Sequence, residues 1–164
     1  MRSPAEEAVL AAVDRLGLRY EVMDCDPAAA DTAVFCERYG IPPERSANTI
    51  LVASKKEPRR YVACVVTAVQ RLDVNHRVRA EMGVPRVSFA SAEEARALTG
   101  MEVGGVTPFG LPADVEVWVD AEVMKADWII VGGGGRSIKL KLAPAELLKV
   151  PGLRTMEGLG LPRT

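Results

Sequence analysis

The chain has little of what most catalytic sites are built from. Of its 164 residues one is histidine, His76, and three are cysteines, Cys25, Cys36 and Cys64. The cysteines are far apart and form no CxxC pair, so a zinc finger or ribbon is excluded and no metal or other cofactor is expected. A relay of the Ser-His-Asp or Cys-His kind would hang on His76 alone, and that residue falls inside a predicted surface helix, where it reads as solvated. Free thiols in odd number fit a reducing compartment, so the expected location is cytoplasmic. No run approaches the roughly 20 apolar residues that span a bilayer, and "MRSPAEEAVLAAVDRLG" lacks the apolar core of a secretory signal, so no membrane partner is expected. Charge of one sign is lacking too. The 21 Lys and Arg against 22 Asp and Glu leave −1, which neither demands nor excludes a nucleic acid, because a local basic patch fits inside a neutral total.

What is present suits one domain over residues 1–164, long enough to bury roughly 70% of its extended surface without disulfides. Ser3-Pro4-Ala5-Glu6 predicts a capped helix that stops near Gly17. "LRYEVMD" alternates as a strand, and "DTAVFCERYG" is a short helix closed by Gly40. "NTILVASKK" and "RRYVACVVTA" form a hairpin with a charged tip. Asp73 is placed to cap a helix over "VNHRVRAEM"; "RVSFA" is a short strand; Ser91-Ala92-Glu93-Glu94 starts a helix ending at Gly100. "VEVWVD", "DWIIVGG" and "SIKLKLA" are three further strands, Pro144 opens a last short helix, and the tail over 148–164 reads as loose. Six or seven strands mixed irregularly with four or five helices predict an α/β protein of the α+β type. Its sheet is mixed, mainly antiparallel and curved, with helices around it.

Two glycine-rich stretches stand out. "GGGGRS" (132–137) has neither the spacing nor the following helix of a phosphate-binding loop and reads as a hairpin turn. "TGMEVGGVTPFGLP" (99–112) is too broken for a helix or strand. Its glycines let backbone approach a ligand closely, its N–H groups can face a carbonyl or phosphate, and Pro108 restricts both itself and Thr107. A binding loop and a structural crossover are both open readings of it.

"LTGMEVGGVTPFGLP" (98–112), the strand "DVEVWVD" and "IIVGGGGRSIKLKLAPAELL" together resemble the YbaK/EbsC family, over roughly Leu18 to Leu148. These are freestanding aminoacyl-tRNA deacylases similar to the editing insertion domain of bacterial prolyl-tRNA synthetases. The resemblance implies a barrel-like YbaK fold and trans-acting hydrolysis of mischarged tRNA of the Cys- or Ala-tRNA(Pro) class. It implies the aminoacyl-tRNA acceptor end as partner, a tRNA synthetase as a further candidate partner, and no cofactor. It puts Gly104 and Gly105 at the reaction centre and Gly100, Thr107, Pro108 and Phe109 along the substrate, with Thr49 and Gly132, Gly133 and Gly134 beside them.

One departure concerns charge. Family members carry a lysine in a "K-T-L-L-V" pattern at the start of the first hairpin strand, where this chain has Asn48-Thr49-Ile50-Leu51-Val52. Asn48 inherits the catalytic position without the charge. Where relatives have a serine and an acidic residue, this chain has Gly132 and Lys139. Lys139 or Lys141 is placed to return the charge from another strand, since alternate residues share a face. Lys55, Lys56, Arg59 and Arg60 at the hairpin tip, with Arg77 and Arg79, are the candidate tRNA-binding surface. Two readings stay open beside the editing hydrolase: a pocket that binds aminoacyl-tRNA or a small aminoacyl-like ligand with weak or no chemistry, and a small-molecule binder unrelated to tRNA.

Overall fold

Ser3 starts helix α1 (Pro4–Arg15) with the reciprocal cap its sequence predicts. Its hydroxyl accepts from the Glu6 N–H at 3.2 Å, and the Glu6 carboxylate accepts from the Ser3 N–H at 2.8 Å. The computed structural model describes residues 1–163. After α1 come β1 (Glu21–Asp24), α2 (Thr32–Tyr39), β2 (Ala47–Ser54), β3 (Tyr61–Thr67) and β4 (Gln70–Leu72). A wide helical turn, Val74–Val78, runs into α3 (Arg79–Met82), followed by β5 (Val87–Phe89), α4 (Ala92–Thr99) and β6 (Glu116–Asp120). The chain closes with β7 (Ile129–Gly132), β8 (Ile138–Leu142), a tight helical segment Pro144–Lys149, β9 (Arg154–Met156) and β10 (Gly160–Pro162).

The expected mixed, mainly antiparallel sheet with flanking helices is what the chain forms. One sheet has the order β5-β2-β3-β6-β9, with β6 parallel to both its neighbours; a second has the order β1-β8-β7, all antiparallel. A parallel bridge from Ser46 to Ile130 joins the start of β2 to β7. The main core lies between the two sheets: Leu51, Val65, Val117 and Val119 meet Val131, Ile138 and Leu140, with Val9 and Val13 of α1 closing one side. A second cluster on the outer face of the larger sheet packs Val52, Val66 and Trp118 under Val74, Val78 and Met82. A third holds Phe35 and Cys36 of α2 against Ile130. Among the described residues no helix is long and apolar enough to cross a membrane.

Two local expectations change. Asp73 makes no side-chain cap; its carboxylate lies 3.2 Å from His76 Nδ1 instead, and the helix opens with a wide turn. The tail read as loose over 148–164 is, in its described part, paired: β9 extends the larger sheet beside β6, and β10 pairs with β4. Burial is the reason, because Leu159 is fully enclosed and Met156 nearly so, both in the second cluster. The Gly160 N–H donates to Asp120 at 2.7 Å, and the Asp73 N–H donates to the Leu159 carbonyl at 2.9 Å.

Glu6 fastens the glycine turn to α1. Besides Ser3, its carboxylate accepts from the Ser137 N–H at 2.8 Å, the Ser137 hydroxyl at 2.6 Å and the Ile138 N–H at 3.1 Å, while only 1% of the residue is exposed. Burial pushes its pKa up, but the Ser137 hydroxyl and the three backbone donors outweigh that and hold it below the ordinary glutamate value. A depressed carboxylate stabilises the fold at pH values above the ordinary one, and that stabilisation is lost as pH falls through the folded value. Glu6→Gln is therefore expected to cost about 1.5–3 kcal/mol at neutral pH, the worth of hydrogen bonds to a charged group. Thermal melts of both proteins from pH 7 down to pH 3 check this: the gap should narrow at the acid end.

Candidate active site

Strand β2 sets the site by being only half used on one side. It pairs with β3 from Ala47 to Ala53, but with β5 only over Val52–Ser54. Successive residues of a strand turn their N–H and C=O to opposite sides. The Leu51 carbonyl accepts from the Ala90 N–H and the Lys55 N–H donates to the Arg86 carbonyl, so odd-numbered residues face away from β3. By that alternation the backbone N–H and C=O of Thr49 point off the open edge.

A cavity of about 340 Å³ lies along this edge, within the size range of small-molecule sites. Asn48 and Thr49 form one wall, Thr32 and Phe35 of α2 another, and Val103, Gly104 and Val106 of the 99–112 loop a third. Ile130, Val131, Gly132 and Lys139 line it from the second sheet. Phe89 and Val103 stand at its mouth, 58% and 52% exposed.

Polar groups converge on this apolar space. The Thr32 hydroxyl donates to Asn48 Oδ1 at 2.9 Å, which leaves the Asn48 amide N–H groups to point elsewhere. Thr49 Oγ1 is buried with no partner among the described residues. Lys139, 6% exposed, donates from Nζ to the Ala30 carbonyl at 2.8 Å and to the Gly104 carbonyl, and sits 5.4 Å from the Phe35 ring centre. Two of its three N–H bonds are thus engaged, and neither acceptor is a carboxylate. Burial pulls its pKa below the ordinary lysine value. Arg136 secures the loop from outside, donating to the Val103 carbonyl at 2.7 Å and to Asp31 at 3.1 Å.

Of the residues expected at a site, Asn48, Thr49, Gly104, Gly132 and Lys139 line the cavity. Lys141, the alternative source of charge, lies over the Trp128 ring at 4.4 Å and is not among the lining residues. Gly105 is behind the wall, not on it. A Cβ there would stand 2.2 Å from the Gly135 carbonyl oxygen, and one on Gly132 would stand 2.5 Å from the Val106 oxygen. The Gly134 N–H donates to the Gly105 carbonyl at 2.6 Å. The two glycine-rich stretches thus need glycine chiefly to pack against each other. Gly133 and Gly134 press on Ile138 and on α1 rather than facing the cavity. Gly100 is the exposed left-handed cap of α4, with φ at +76°. Past Val106 the loop dives inward because Phe109 is wholly buried in the main core, and Thr107 and Pro108 go with it, away from the lining.

The basic set divides as well. Arg59 is paired with Glu94 at 2.6 Å, Arg60 donates to the Met82 carbonyl at 3.1 Å, Lys56 is exposed at the hairpin tip, and Lys55 faces a neighbouring cleft. Arg77 is tied to Glu81 at 2.5 Å. Thr32, Phe35, Ser46, Val103 and Phe89 line the cavity without having been singled out. Of these, Val103 lies in the loop already read as a candidate binding loop, and the start of α2 at Thr32 carried a signal that concerned the helix and not a ligand.

A mixed sheet with a half-open strand edge, a glycine loop folded over it and one buried lysine beside apolar walls encloses a candidate site for a small molecule. Residues 26–150 match the sequence pattern described as the aminoacyl-tRNA editing domain, and the chain belongs to that family. It is 27% identical over 127 residues to the uncharacterized protein YwhH of Bacillus subtilis (strain 168), spanning 77% of this chain and 78% of that one. It is 29% identical over 115 residues to EbsC of Enterococcus faecalis, named as a candidate Cys-tRNA(Pro)/Cys-tRNA(Cys) deacylase, spanning 70% of this chain and 68% of the other. A crystal structure of a candidate trans-editing enzyme for prolyl tRNA synthetase superposes with a TM-score of 0.83 at 21% identity, covering both chains completely, and shares the fold.

Proposed function

We propose that the protein hydrolyses, in trans, the ester between a wrong amino acid and the terminal adenosine of a tRNA, with cysteine or alanine on a proline tRNA as the substrate class. The observation that carries this reading is Lys139 Nζ held beside Gly104 in the same cavity that Asn48 and Thr49 line. The remaining N–H of Lys139 and the amide of Asn48 are donors for the ester carbonyl oxygen. As water adds to the carbonyl carbon, negative charge grows on that oxygen, and fixed donors in a dry site stabilise it more than water does. The carbon–oxygen bond to the ribose then breaks, the proton from water passes to the ribose oxygen, and free amino acid and uncharged tRNA leave. Phe35 and Ile130, packed together in the third cluster, limit the space for the amino-acid side chain, which favours small ones.

A second reading has its own support. Two of the Lys139 donors are already spent on Ala30 and Gly104, so the lysine serves equally as a clamp in a pocket that binds aminoacyl-tRNA without turning it over. A panel of Cys-, Ala- and Pro-charged proline tRNAs separates the two. Turnover of the Cys or Ala ester well above the buffer rate, with Pro-tRNA spared, is expected. Tight binding with no ester hydrolysed by folded protein selects the second reading.

A further inference from the structure

The cavity does not end at Phe89. Across Ile50 and Phe89 it adjoins a cleft of about 530 Å³ that runs past Asn75 and His76, with Arg71 and Arg163 along it. That cleft shares Asn75 and His76 with a further one of about 440 Å³, flanked by Lys55, Arg79 and Arg86. A chain carrying −1 overall therefore collects five cationic side chains along one track. None of Lys55, Arg71, Arg79, Arg86 or Arg163 pairs with a carboxylate among the described residues, whereas Arg38, Arg45, Arg59, Arg77, Arg136 and Arg154 all do; Arg79 and Arg163 donate to backbone carbonyls alone, of Pro85 at 3.5 Å and of Ala68 and Gln70 at 3.2 and 3.1 Å. The acidic side chain among the described lining residues is Asp73, whose carboxylate lies 3.2 Å from His76 Nδ1. Phe89, on the edge strand β5, is exposed at the junction of cavity and cleft.

We propose that this track holds the single-stranded 3′ end of an RNA: Phe89 is the platform for the terminal base, and Lys55, Arg71, Arg79 and Arg86 meet the phosphates behind it. The identity of the RNA as a tRNA acceptor end rests on the editing reading; the track itself does not. An exposed aromatic ring followed by cations without carboxylate partners is an arrangement by which proteins hold single strands, stacking bases and neutralising phosphates without reading sequence. The surface is not the hairpin tip as a whole: Arg59 is paired with Glu94, and of the tip's Lys55, Lys56, Arg59 and Arg60, Lys55 alone lines the track.

The test is fluorescence anisotropy with an uncharged, labelled RNA oligonucleotide ending in CCA-3′-OH, across a salt series. With about four phosphates neutralised, log affinity should fall against log salt with a slope of about −3, and Arg71→Ala with Arg86→Ala should flatten it by about 1.4. Phe89→Ala should weaken binding about tenfold and Phe89→Tyr should not, since base stacking needs a ring. Lys125→Ala, on another face, should leave binding unchanged. Equal binding by all variants, or no measurable binding by the parent protein, overturns the track. Intact binding of this oligonucleotide with no ester hydrolysis anywhere in the tRNA panel overturns the editing reading and leaves the track standing. Hydrolysis with kcat/KM unmoved by Arg71, Arg86 and Phe89 changes does the reverse.

Discussion

Lys139→Met is expected to lower the rate of deacylation by about 10²–10³-fold, the usual cost of removing one donor aimed at a developing oxyanion. Methionine matches the length of the lysine stem and fits an apolar wall, so the cavity keeps its shape. Stability should change far less. The Ala30 and Gly104 carbonyls each lose a donor, but the desolvation of a buried ammonium is relieved at the same time. Melting temperature and turnover are therefore the paired measurements: loss of both together marks a clamp, and loss of turnover alone marks a group acting on the substrate. Asn48→Lys sharpens the test. In the Lys139→Met background it puts one cation back from β2, and part of the lost rate should return. In the parent protein it sets two ammonium groups in one buried space, where like charges oppose each other, and no rise is expected. A steep rise from Asn48→Lys alone sinks the proposed role of Lys139 and favours the weak binding module.

That a buried lysine of β8 lines the cavity was half legible. The alternation of a strand puts Lys139 and Lys141 on one face, and no pattern in the sequence separates them. Packing separates them: Phe35 and the loop at Gly104 enclose Lys139, while Lys141 lies over Trp128, outside the cavity lining. The element order was readable because Ser3, Ser91, Gly40 and Gly100 cap helices through bonds made within a few residues. The tail was not, because β9 and β10 have three residues each and their partners, β6 and β4, lie far back in the chain. Leu159 and Met156 look like isolated apolar residues among turn formers until Trp118 is beneath them. Similarly, the cavity combines an edge of β2, the start of α2, a loop and a hairpin, so most of its lining has no local signature. Single residues showed their type, and the fold supplied the neighbours.

The glycines of the 99–112 loop make the sharpest case, and Gly105→Ala is expected to be the most damaging small substitution in it. The added methyl would stand 2.2 Å from the Gly135 oxygen and 2.6 Å from the Gly135 nitrogen, both backbone atoms. The turn has little freedom to retreat, because Glu6 holds Ser137 and Ile138 on one side and Gly134 donates to the Gly105 carbonyl on the other. Overpacking of this kind costs about 3 kcal/mol, which for a domain of this size lowers the melting temperature by about 6–12 °C. Gly100→Ala is the informative contrast. Its φ of +76° is unfavourable for alanine, but nothing lies within 4 Å of the new methyl. The expected cost is the conformational one alone, about 1 kcal/mol and about 2–4 °C. Gly105→Ala should also lose turnover at temperatures where it is still folded, because any shift of the loop moves the Gly104 carbonyl that positions Lys139. Equal melting temperatures for the two variants would show that the hairpin yields. The contact between the two glycine stretches would then not be what fixes the cavity wall.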